Sequence, residues 1–72
     1  LVLVSAGFDA HVQDEMSSLA FTDADFEWLT QLCLDVAERH AGGRLVSLLE
    51  GGYDLESLAR CAAQHIKLLA RL

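Results

Sequence analysis

The sequence predicts an α/β fold, a β-α-β-α run in which a parallel sheet carries its helices. Two observations carry that expectation. Two short apolar runs, Leu1-Val2-Leu3-Val4 and Leu45-Val46-Ser47-Leu48-Leu49, show almost no polar alternation. Each is followed by a stretch with apolar residues at three- and four-residue spacing, bracketed by capping residues. Strands of this kind are covered on both faces, as in parallel sheets. The order strand, helix, strand then reads as a right-handed crossover.

The first strand ends at Ser5-Ala6-Gly7, and a loop from about Phe8 to Phe21 carries Asp9, His11, Asp14, Glu15 and the pair Ser17-Ser18. Thr22 is placed to cap the first helix, with Asp25 reaching back as in a capping box. Phe21 and Phe26 have the spacing of a hydrophobic staple. Phe26, Leu29, Cys33, Val36 and Ala37 mark the helix's apolar face, widened by Trp28 and Leu32. Asp23, Asp25 and Glu27 in the first turns and Arg39 and His40 in the last suit the helix dipole. Gly42-Gly43 supplies a left-handed ending. The second strand stops at Glu50-Gly51-Gly52-Tyr53, and Asp54 caps a second helix whose apolar face runs Leu55, Leu58, Ala59, Ala62, Ile66 and Leu69. Cys33 and Cys61 read as small buried thiols, and His65 as a residue of the helix surface.

Composition narrows the class. Hydrophobic residues are 53% of the 72 and charged residues 22%, a globular balance with room for one small core. Five Lys and Arg against eleven Asp and Glu give a net charge of −6, which disfavours a nucleic-acid backbone as partner. No apolar run approaches the roughly 20 residues of a bilayer span, and no basic-then-apolar leader is visible, so no membrane partner is expected. Two cysteines are too few for a disulfide scaffold, and the expected location is cytoplasmic. Two apolar strands do not make an independent parallel sheet. Residues 1–72 are therefore expected to be a fragment, the C-terminal part of one larger α/β domain.

Ligands of open parallel sheets bind beyond the carboxyl ends of the strands. Two loops emerge at that edge, Gly7 to Asp14 and Glu50 to Asp54. The crossover sets Asp14 and Tyr53 toward one cleft although they are 39 positions apart. A carboxylate that holds a cation and a phenol that donates to an oxyanion suit a metal-assisted hydrolase.

Ser5-Ala6-Gly7-Phe8-Asp9-Ala10-His11, then Asp14, then Glu50-Gly51-Gly52-Tyr53-Asp54-Leu55 resemble the C-terminal portion of the zinc-dependent histone deacetylase superfamily, which includes acetylpolyamine amidohydrolases. The Glu-Gly-Gly-Tyr form is similar to the class II and bacterial branch, and the resemblance covers essentially the whole chain. It implies an arginase-like, three-layer α/β fold with Zn2+ at the carboxyl edge of the sheet. It also implies hydrolysis of acyl-lysine or acetylated polyamine amides. By position, Asp14 matches a zinc-ligand Asp and Tyr53 the tyrosine that stabilises the oxyanion. Gly51 and Gly52 match the small residues lining the substrate tunnel, and Phe21 falls near an apolar tunnel position. Asp9-Ala10-His11 spells Asp-x-His, but the resemblance places the family's ligating Asp-x-His upstream. Asp9 is then expected to brace the loop and His11 to stand at the rim. Glu15 follows Asp14 where the family usually has Pro. The family's remaining ligand pair and its general-base histidines would come from the rest of the domain. An acidic non-catalytic α/β remnant or interaction module is the competing reading, and zinc affinity separates the two.

Overall fold

A computed structural model of the chain describes residues 1–16 and 18–71, so Ser17 of the serine pair lies outside the described residues. The elements follow the expected order: β1 (Val2–Ala6), α1 (Asp23–His40), β2 (Leu45–Leu49) and α2 (Leu55–Leu69). β1 and β2 are parallel, with Val2 opposite Leu45 and Ala6 opposite Leu49. This is the α/β arrangement, with its parallel crossover, that the sequence predicts.

The helix ends form as their capping chemistry dictates. The Thr22 backbone N–H donates to Asp25 Oδ2 at 2.8 Å, and the Asp25 N–H donates back to Thr22 Oγ1, a complete capping box. The staple is present too, with the Phe21 and Phe26 rings 5.6 Å apart. α1 stops at Ala41, and the left-handed backbone of Gly42 (φ 59°) lets the Gly43 N–H return to the Ala37 carbonyl at 2.9 Å. Asp54 caps α2 by accepting from the Ser57 N–H at 2.9 Å.

The core lies beneath the carboxyl end of β1. Ala6, Phe8, Phe26 and Cys61 form its buried centre, with Val4, Ala10, Phe21, Leu29, Leu58 and Ala62 packed around it. Phe8 and Phe26 meet with ring centroids 5.2 Å apart and an interplanar angle of 59°, a favoured tilted geometry.

Three expectations need correction. Strand burial on both faces is met on one face only, because both helices lie on that side. Val4, Ala6, Leu45 and Ser47 face the helices, while Leu3 (72% exposed) and Leu48 (62%) stand bare on the other side. α2 buries Ser57, Cys61 and His65 rather than the centre of its apolar stripe, and Leu55, Ala59 and Ile66 stay exposed. Small side chains at Ser57 and Cys61 let α1 and α2 approach, which a stripe of leucines would prevent. Finally, His65 is buried, not at the surface. Thr30 Oγ1 donates to the Phe26 carbonyl at 2.9 Å and also meets His65 Nδ1 at 2.9 Å, while Ser47 Oγ meets Nε2 at 2.8 Å. One imidazole thereby joins α1, β2 and α2. On α1, Trp28, Leu32 and Val36 form a further exposed stripe.

Candidate active site at the carboxyl edge of the sheet

The parallel register brings the two predicted loops together. The Phe8 N–H donates to the Gly51 carbonyl at 2.8 Å, and the Glu50 N–H donates to the Ala6 carbonyl at 2.9 Å. The first loop is two successive turns that share a corner at His11. The His11 N–H closes the first turn on the Phe8 carbonyl at 3.3 Å, and the Asp14 N–H closes the second on the His11 carbonyl at 2.9 Å. A short parallel bridge to Phe21 then ties this loop to the approach of α1.

Asp14 is 3% exposed and accepts three backbone N–H bonds. Oδ2 takes Tyr53 at 2.6 Å and Asp54 at 3.0 Å, and Oδ1 takes Met16 at 2.9 Å. Burial alone would raise this carboxyl, but those amides and nearby His11 outweigh it and hold it below the ordinary aspartate range. Asp14 and Tyr53 are thus brought together, through the tyrosine's backbone rather than its hydroxyl. The Tyr53 side chain is 60% exposed and borders an open groove with Gln13, Glu15, Met16 and Asp54.

Asp9 has the opposite character. It is half-buried, and among the described residues its carboxylate takes part in no hydrogen bond or ion pair. It lies against Gly51, where an added Cβ would stand 2.8 Å from Asp9 Oδ1. Gly52 has φ 144°, and a Cβ there would meet Leu58 Cδ1 at 2.7 Å. The two glycines therefore admit the Asp9 carboxylate on one side and the helix on the other. In the hydrogen bonding it is Asp14 that ties the two loops, while Asp9, expected to brace its loop, makes no hydrogen bond among the described residues. Phe21 is half-buried against Phe26, so its place is the core beneath the rim.

His11 also departs from expectation, being 3% exposed rather than a rim residue. Its Nε2 lies 2.6 Å from Asp23 Oδ1, and its ring stacks on Phe26 at an interplanar angle of 6°. Asp23 receives Arg60 Nε at 3.0 Å as well. Arg60, then His11, hold the Asp23 carboxyl down to about 2. Nothing in the local sequence signals this network, because its members come from the loop and two helices.

His11, Asp23 and Cys61 place one ligand-type atom each within 4.8 Å of one another. They do not fit a metal. The Gln13 backbone N–H donates to His11 Nδ1 at 3.0 Å, so Nδ1 keeps its lone pair and Nε2 carries the hydrogen given to Asp23. Burial, with Asp23 beside it, pushes the Cys61 thiol up to about 11, and Arg60 already supplies the cation for Asp23. The Asp14 carboxylate fits a metal as one hard oxygen ligand, because three N–H donors leave lone pairs on its two oxygens, and a closed site would need further ligands from outside these residues.

Comparison with known proteins identifies the family. The family profile "Histone deacetylase domain" matches residues 1–69. The chain is 41% identical over 70 residues to "Type-2 histone deacetylase 1" of Dictyostelium discoideum, covering 97% of this chain and 5% of that protein. It is 45% identical over 69 residues to "Histone deacetylase 14, chloroplastic" of Arabidopsis thaliana, covering 96% and 16% respectively. It is 48% identical over 69 residues to human "Polyamine deacetylase HDAC10", covering 96% and 10%. The chain thus spans less than a fifth of the length of these relatives. With two loops meeting at a parallel sheet's carboxyl edge and a profile match over nearly every residue, this chain belongs to the histone deacetylase family.

Proposed function

We propose that residues 1–72 form the C-terminal part of one deacetylase domain and supply part of its zinc-dependent active site. The reaction is hydrolysis of acyl-lysine or acetylpolyamine amides. One observation supports Asp14 as the ligand to Zn2+: it is buried where the two loops meet, three backbone N–H donors hold it below the ordinary aspartate range, and its two oxygens keep lone pairs for a cation. The same bonds hold the two loops in register, and Asp9 packs against Gly51 beside them. A bound zinc would polarise the acyl carbonyl and acidify a water.

Tyr53 stands at the groove with an exposed side chain, and its hydroxyl donates to the oxyanion that develops on the carbonyl. Gly51 and Gly52 keep the loop thin enough for backbone and carboxylate to lie side by side. The remaining ligands and the general base come from the rest of the domain. Among the described residues no helix is long and apolar enough to cross a membrane. The free thiols of Cys33 and Cys61 suit a reducing compartment such as the cytoplasm.

The test uses the full-length protein, with zinc measured by equilibrium dialysis and turnover on an acetyl-lysine peptide and an N-acetylpolyamine. Asp14→Ala should lose zinc and turnover together, whereas Asp9→Ala should keep its zinc. Full zinc occupancy in Asp14→Ala would overturn the assignment.

A further inference from the structure

We propose that His65 is a positioning residue for the reaction. Held by α1 and β2, its ring braces Phe8, and Phe8 sets how closely the Asp14 loop and the Tyr53 loop meet. This inference rests on the proposed function above and goes beyond it, because His65 touches neither metal nor substrate in that reading.

Three observations carry it. First, Phe8 belongs to both loops. Its N–H donates to the Gly51 carbonyl at 2.8 Å, and its carbonyl receives the His11 N–H at 3.3 Å, in the turn that leads to Asp14. Its Cβ stands 3.6 Å from the place a Cβ on Gly52 would take, one residue before Tyr53. A shift of Phe8 therefore changes how Asp14 and Tyr53 are spaced. Second, the buried Phe8 ring meets two other rings. Phe26 lies 5.2 Å away between centroids, and His65 meets Phe8 edge-on at 5.8 Å with an interplanar angle of 73°. Third, His65 is the neighbour with a fixed aim. Thr30 gives its one hydroxyl hydrogen to the Phe26 carbonyl, so His65 Nδ1–H donates to Thr30 Oγ1 at 2.9 Å. Nε2 then keeps its lone pair, and the Ser47 hydroxyl donates to it at 2.8 Å. One tautomer satisfies both nitrogens, and their partners lie on different elements.

A core that only needed filling would hold a leucine at this position. A buried imidazole costs desolvation that an alkyl side chain avoids. What it adds is direction, because two hydrogen bonds fix the plane of the ring where apolar contact alone lets it turn. A misplacement of about 1 Å remote from the chemistry can lower a rate by about 100-fold, so a loop spacing held through one ring is a sensitive point.

The experiment uses the full-length protein, reading kcat and KM on an acetyl-lysine peptide well below the melting temperature and bound zinc by equilibrium dialysis at saturating metal. His65→Leu keeps bulk beside Phe8 and removes both nitrogens. It should lower kcat by about tenfold, with KM within about twofold and zinc occupancy unchanged. A residue that only packed would lower the melting temperature and leave kcat of the folded enzyme as it was. His65→Gln, whose amide can still meet Ser47, should recover part of the lost kcat. Combining His65→Leu with Phe8→Leu should be no worse in kcat than the more damaging single change, since both act through one ring. If His65→Leu does not fold, Thr30→Val, which removes the partner of Nδ1 and leaves the ring, carries the same expectation at a smaller size. The inference is overturned if folded His65→Leu, or Thr30→Val in its place, turns over as the native protein does. It is equally overturned if the loss falls in KM or in bound zinc instead, if His65→Gln is no better than His65→Leu, or if the paired losses multiply. A native protein that neither binds zinc nor deacylates would overturn the functional reading and this inference with it. Native activity alongside an unaffected His65→Leu would overturn this inference alone.

Discussion

The rim of the sheet and its outer face are made from the same two strands, yet they reach opposite ends of the stability scale. At the rim every turn is tied. Asp14 gathers three amides, His11 is held on both nitrogens, and Phe8, Phe21 and Phe26 fill the space below. On the outer face Leu1, Leu3, Val46 and Leu48 stand in water. Hydrogen-bonded loops can be completed within a short stretch of chain, because a backbone amide needs one partner. Apolar cover needs a whole neighbouring layer, and 72 residues supply it on one side only.

The largest effect expected at the rim is catalytic. Tyr53→Phe in the full-length protein should reduce turnover by about 10²–10³-fold and leave bound zinc unchanged, as for loss of one oxyanion donor. Retention of more than half the activity would remove Tyr53 from the chemistry. The outer face is tested by context. Leu3→Ala should cost about 2–3 kcal/mol in the full-length protein, where that face is expected to be covered. In the 72-residue chain the same change should move the unfolding midpoint little and weaken self-association, read by sedimentation. Equal costs in both contexts would mean that the face is bare in the whole protein as well.

Gly52→Ala provides the converse. Its left-handed φ and the approach of Leu58 should cost about 1–3 kcal/mol, and by about the same amount in both contexts, because everything it disturbs lies within the rim. Chemical denaturation of the two proteins reads the difference.

The smallest effect is the dependence on pH. Burial holds His65 below its ordinary value, so it stays neutral in the folded chain when an unfolded one would take up a proton. Its contribution to stability is therefore complete above about 6.5 and declines as pH falls through that value. A His65→Gln variant should show a flatter stability profile between pH 7 and 5. An unchanged slope would place the pH dependence elsewhere.

Much of this architecture was legible in residue order. Thr22 with Asp25, Asp54 before Leu55, and Gly42-Gly43 after His40 are local signals, and each set the element boundary it predicted. The strands and their parallel pairing followed from uninterrupted apolar runs. Burial of α2 along Ser57, Cys61 and His65 was not legible, because small and polar residues leave no hydrophobic trace. That Asp14 and not Asp9 ties the two loops was hidden for another reason. Which carboxylate meets the amides of Tyr53 and Asp54 depends on how two turns fold over one another, and both residues have the same chemistry in the sequence. His11 and Asp23 are 12 positions apart, and only the bridge beside Phe21 brings them together.

The Gly42-Gly43 turn lies at the amino edge of the sheet, where the Val2 N–H reaches the Arg44 carbonyl, and the proposed chemistry lies at the other edge. Both glycines are exposed and already in left-handed backbone. That backbone favours glycine, and a Cβ on Gly43 would stand 3.2 Å from Glu38 Oε1, so a side chain placed in this turn would strain the ending of α1. Such a change would load one helix ending and leave the loops of the proposed chemistry, at the far edge, as they are.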